Sequence, residues 1–119
     1  MNNEDPVNAG NKLLFLKAIE IYQECKYNTL FFDSATHYIV DFEHVLRELG
    51  RVDYRIFMQY FIDNKSKQEV ARAIEKSPVS VWRRIKEIEQ FVPQRMQEKG
   101  MFPISSYFRG YRGLYYIPL

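Results

Sequence analysis

Hydrophobic positions recur every three to four residues along this chain, and the cleanest run lies in its second half. Val81, Ile85, Ile88 and Val92 follow at steps of four, three and four, which draws one apolar face along a helix. The polar residues before them fit a helix start, with Ser77 as N-cap and Pro78 at the first helical position, where a missing N–H costs nothing. Upstream, Ser66 and Glu69 have capping-box spacing, and Val70, Ala71 and Ile74 form a shorter stripe that Glu75 and Lys76 interrupt. Residues 66–91 are therefore predicted to be a short helix, a tight turn and a longer helix. Ala71 is small enough to let the two helices cross closely, and the outer face of the second carries Val79, Trp82, Arg83 and Lys86. That layout is a helix-turn-helix.

The same periodicity organises the rest. Residues 1–10 are polar, with Pro6 and Gly10, and are expected to form a flexible arm. Asn11 is the expected cap of a helix to about Tyr27. In it Phe15, Ala18 or Ile19, Tyr22 and Cys25 share one face, and Leu14 and Ile21 a second. So wide an apolar arc implies a helix clamped between two elements or lying in a subunit interface. Residues 28–35 read as a linker, with a brief extended piece at 29–32. Thr36 is expected to cap the next helix, whose stripe is Tyr38, Phe42, Val45 and Leu49 and whose end is Gly50. Asp53 is expected to cap a third, nearly fully buried helix through about Asp63, with Asn64 as a left-handed stop. The last helix reaches Glu98 unless Pro93 kinks or ends it.

After Gly100, turn residues alternate with Tyr107, Phe108, Tyr111, Leu114, Tyr115, Tyr116 and Ile117. So many apolar side chains are expected to pack on the core or on a second subunit in extended or turn form. Arg109 and Arg112 among the aromatics leave stacking on unpaired bases as the alternative. The expected fold is all-α with about five helices in four parts. These are an arm (1–10), an N-terminal helical part for packing or dimerisation (11–50), a helix-turn-helix domain (51–100) and an aromatic tail (101–119).

Residues 54–88, YRIFMQYFIDNKSKQEVARAIEKSPVSVWRRIKEI, resemble region 4 of bacterial sigma factors and small phage regulators that share that domain. Ser66, Glu69, Val70 and Ala71 match the family's Ser-x-x-Glu-Ile-Ala. Ile74 and Ser77 match its middle, and Ser80, Val81, Arg84 and Ile85 match its closing Thr-Val-x-x-Arg-Leu. The match is gap-free, and the preceding helix is apolar at Ile56, Phe57, Met58 and Tyr60, as in the family. Glu75 departs from a preferred Gly and Lys76 from a preferred aliphatic residue; a non-Gly residue at φ > 0 is strained. The resemblance implies sequence-specific binding to double-stranded DNA, and it allows a contact with RNA polymerase near the promoter −35 region.

Charge agrees with a nucleic-acid partner. The net charge is only +2, but residues 1–50 hold 4 Lys or Arg against 8 Asp or Glu, and residues 51–119 hold 13 against 7. The positive half is the one with the helix-turn-helix. A single cysteine, Cys25, excludes an internal disulfide and suits a reducing cytosol. No apolar run approaches a membrane span and MNNEDP is unlike a signal peptide, so the expected location is the cytoplasm of a bacterial cell, with a phage origin in view.

The candidate DNA-binding residues are Ser77, Val79, Ser80, Trp82, Arg83, Arg84 and Lys86. Arg83 can offer paired donors to guanine and Lys86 a charge to phosphate; Val79 and Trp82 can touch thymine methyls. For Trp82 the alternative is packing against the tail or a partner. For Arg84, at the edge of the buried stripe, a phosphate contact stands beside pairing with an acidic residue of an earlier helix. No catalytic constellation is visible. His37 and His44 lie seven apart, too far to share a metal, Cys25 has no nearby His, and neither a phosphate loop nor a zinc pattern occurs. No enzyme activity, cofactor or metal is expected. Two other functions fit the same residues: a DNA-recognition subunit resembling small terminases of phage packaging, and a protein-interaction adaptor with a degenerate helix-turn-helix.

Overall fold

The computed structural model describes the backbone of residues 6–101 and the side chains of residues 12–26, 28 and 35–101; the expectations for residues 1–5 and for the tail from residue 102 onward lie outside this range. Five α-helices follow in order, with no strand among the described residues: α1 (Pro6–Tyr27), α2 (Thr29–Arg47), α3 (Arg51–Phe57), α4 (Lys67–Ile74) and α5 (Pro78–Glu98). Between α3 and α4 the chain widens into a π-helical turn, Met58–Ile62.

Helix α5 touches each of the other four. The predicted stripe of Val81, Ile85, Ile88 and Val92 is buried, and Met96 extends it. Pro93 sits inside the helix without ending it. It has no N–H to give the carbonyl of Glu89. The last turn is nevertheless held by tertiary contacts: Met96 is buried, Arg95 Nε donates to Glu48 Oε1 at 2.7 Å and Lys99 Nζ lies 3.1 Å from Glu48 Oε2. Those two cations hold the Glu48 carboxyl below its usual range. Gly100, at φ +74°, ends the helix with a bond from Met101 N–H to the Met96 carbonyl.

An aromatic cluster ties the other helices together. Phe57 of α3 meets Phe15 of α1 at 6.1 Å, Phe42 of α2 at 5.9 Å and Phe61 of the π turn at 5.2 Å between ring centroids. Beside it Tyr22 and Tyr54 both donate hydroxyl hydrogen bonds to Glu43, at 2.6 and 3.0 Å. Burial, and then the Glu43 carboxylate, raises the pKa of each phenol.

Five local expectations need correction. Helix α1 starts at Pro6, so residues 6–10 are helical; proline suits a first helical position. Residues 28–35 are not a linker: only Asn28 interrupts the helices, and its N–H still donates to Glu24 O. Thr36 is consequently interior to α2, and no extended piece occurs at 29–32. Among the described side chains of α2, Ala35, Tyr38, Ile39, Phe42, Val45 and Leu46 are buried, and the helix runs unbroken from Thr29 through the segment read as a linker. Asp53 is not the cap of α3; Gly50 is, at φ +88° and ψ 165°, a conformation essentially confined to glycine. The third helix also becomes a π turn at its end, where Met58, Tyr60 and Phe61 are half-buried and Ile56, Phe57 and Ile62 fully so. Gln23 of α1 accounts for the wide turn, since its Nε2 donates to the carbonyls of Phe61 (3.0 Å) and Ile62 (3.1 Å). Asn64 follows at φ 58°, the expected left-handed stop.

Two outcomes test this packing. Tyr22 keeps its proton beyond the pH at which an unfolded tyrosine ionises, so its contribution is complete below pH 10 and lost as pH rises above it. Melting temperature is expected to fall above pH 10, and Tyr22→Phe to make that fall shallower. At the α4–α5 turn, Glu75 has φ 58° and ψ 46°. Glu75→Gly is expected to stabilise by about 0.5–1 kcal/mol, because relief of left-handed strain exceeds the added unfolded-state entropy. Thermal unfolding would show this as a rise of a few degrees, and a fall would contradict it.

Candidate nucleic-acid interface

The α4–α5 pair is fixed by its caps. Ser66 Oγ accepts from Glu69 N–H at 3.1 Å while Glu69 Oε1 accepts from Ser66 N–H at 2.8 Å, closing the capping box. The bond from Ser66 N–H holds the Glu69 carboxyl below its usual range. At the other end of α4 the left-handed Glu75 lets Lys76 N–H reach back to Ala71 O at 3.0 Å, a Schellman closure. Ser77 then caps α5 at once, its Oγ accepting from Ser80 N–H at 3.1 Å. Three residues thus separate the two helices, and buried Val70 and Ala71 join the core that buries Val81 and Ile85.

With α5 seated on that core, its other face is open. Val79 is 69% exposed, Arg83 and Lys86 are exposed, and Trp82 keeps 39% of its surface in water. These four, at steps of three or four, form one contiguous surface of apolar, aromatic and cationic groups. The other three candidates point elsewhere. Ser77 is engaged as the cap, Ser80 is half-buried, and Arg84 Nη1 donates to Asp53 Oδ1 at 2.7 Å. Of the two readings for Arg84, pairing with an earlier helix is the one realised. It ties the first turn of α3 to the second turn of α5.

One member of this surface is invisible in the sequence. The ammonium of Lys67, the first residue of α4, lies 3.9 Å from the Trp82 ring centroid, and that of Lys86 lies 4.3 Å from it. Each such contact is worth about 0.5–1 kcal/mol at an exposed site. Only the crossing of α4 over α5 brings Lys67 to Trp82. No linear pattern connects residues 15 apart on different helices.

Elsewhere the chemistry is plain. His37 and His44 are exposed on α2, and no group of three or more His, Cys, Asp or Glu among the described residues is placed to hold a metal ion. Burial raises the Cys25 thiol to a pKa of about 11. An open cleft of about 520 Å³ between α1 and the π turn is lined by Leu16, Ile19, Glu20, Gln23, Tyr60, Phe61, Asn64 and Lys65. No helix among the described residues is long and apolar enough to cross a membrane.

The thiol position gives a simple check. Cys25 is expected to react with a thiol reagent at neutral pH at well under the rate of an unfolded cysteine, and denaturant is expected to restore that rate.

Comparison with protein-family models, curated proteins and solved structures finds no match to this chain.

Proposed function

We propose that this protein binds duplex DNA in a sequence-specific manner through α4 and α5, acting as a helix-turn-helix of the sigma region 4 type, and that it regulates transcription. The observation that carries the reading is the division of α5. One face is sunk in the core, and the opposite face presents Val79, Trp82, Arg83 and Lys86 from the first three turns after a three-residue connection. A recognition helix needs that arrangement, because its N-terminal turns must enter the major groove while its back is held by the domain. The charge balance of residues 51–119 supplies the long-range attraction to phosphate.

Within this reading the candidate residues have distinct roles. Arg83 reads a base edge and Val79 meets a methyl group. Ser77 and Arg84 act by fixing the helix, and Ser80 lies at the margin of the contact. Contact with RNA polymerase, and a place in the bacterial cytoplasm, rest on the resemblance. A homo-oligomer through the N-terminal helices would use exposed Leu13 and Leu16 of α1. The reading assigns no catalytic group, cofactor or metal.

Arg83→Ala is expected to weaken binding to the preferred duplex by about 1–3 kcal/mol and to relax preference at one base position, measured by competition among single-base variants. Equal loss on preferred and random duplexes would make Arg83 a phosphate contact instead. Duplex binding that does not weaken with salt would contradict the reading as a whole.

A further inference from the structure

From its place on α5, Trp82 has two open readings, contact with a thymine methyl and packing against the tail or a partner. Its surroundings point to a third role. Its ring lies under two ammonium groups from different helices, Lys67 at 3.9 Å and Lys86 at 4.3 Å from the centroid. The two cations are therefore no more than about 8 Å apart, within about one Debye length at physiological salt, so each feels the other's charge. The electron-rich indole attracts each ammonium and so offsets part of that repulsion without neutralising either charge. An anion brought to the pair meets two positive groups already gathered, with part of their side-chain freedom already lost.

The nearby carboxylates leave this charge largely in place. Lys86 is 3.6 Å from Glu89, an exposed i,i+3 pair of the kind that contributes little. Glu69, on the first turn of α4, is engaged by the Ser66 N–H.

We infer that Lys67, Trp82 and Lys86 form a clamp for the DNA sugar-phosphate backbone, in which Trp82 is a positioning residue that gathers the two lysines rather than a reader of bases. The inference rests on the duplex-binding reading above and deepens it. α5 would then read sequence along Val79 and Arg83, and Lys67 would anchor α4 to the backbone beside the groove. In this way one ring links the positions of both helices to one stretch of phosphate.

Trp82 is the only tryptophan in the chain, so its emission reports the cluster before any DNA is added. Lys67→Gln and Lys86→Gln are each expected to change that emission in the free protein; no change with either would overturn the clamp. With labelled duplexes over a salt series, each lysine variant is expected to lower the slope of log K against log salt by about 0.9, with equal loss on preferred and random DNA. Trp82→Ala removes no charge, yet it is expected to weaken both duplexes by the same factor, and Lys67→Gln is expected to cost less in that background than in the parent. Trp82→Phe, which keeps a ring, is expected to retain most of the binding. Loss on the preferred duplex alone with Trp82→Ala, or an equal cost of Lys67→Gln in both backgrounds, would overturn the clamp and leave the duplex-binding reading standing. Failure of the parent protein to bind any duplex would overturn both.

Discussion

Burial of one face of α5 is the constraint on which the remaining structure depends. Val81, Ile85, Ile88, Val92 and Met96 are withdrawn from water along about four turns, and the helix that carries them touches every other helix. At about 1.5–3 kcal/mol for each large aliphatic side chain fully buried, this one stripe outweighs any single polar contact in the molecule. It also explains how a proline is accepted at position 93. The lost backbone bond and the ring cost about 3 kcal/mol in a helix interior. Burial of Val92 and Met96 on either side, with Arg95 and Lys99 closed onto Glu48, offsets that loss.

Because the stripe fixes the rotation of α5 about its axis, it also fixes what the opposite face can do. Val79, Trp82, Arg83 and Lys86 are presented outward because Val81 and Ile85 cannot be. The polar bonds around them set the helix ends and its tilt. Ser77 starts α5, the left-handed Glu75 sets the angle at which α4 leaves it, and Arg84 pins it to Asp53 of α3. The Phe15, Phe42 and Phe57 rings then hold α1 and α2 against the same core. The proposed DNA-binding face is thus a consequence of packing on the far side of the helix.

Features that depend on neighbours in sequence were legible beforehand, and those that depend on neighbours in space were not. The capping box at Ser66 and Glu69, the Ser77–Pro78 start and the buried stripe of α5 follow from spacings of one to four residues, Asn64 follows from its residue type, and the left-handed Glu75 follows from the resemblance, which places a Gly there. The segment 28–35 misleads because its residue types were weighed locally, whereas α2 runs unbroken from Thr29 and packs on α1. The π turn needs Gln23, 38 and 39 residues from the carbonyls it caps. In the candidate site, the outward set on α5 was legible from helical periodicity. The partner chosen by Arg84 and the arrival of Lys67 over Trp82 required the crossing of helices.

The central claim is that the outward face of α5 reads duplex sequence, and selection of bound sites from a pool of randomised duplexes tests it most directly. The account predicts that successive rounds converge on one short motif, and that the Arg83→Ala protein, carried through the same selection, loses preference at one position within it. Retention of duplexes without any common motif, or no retention at all, would contradict it.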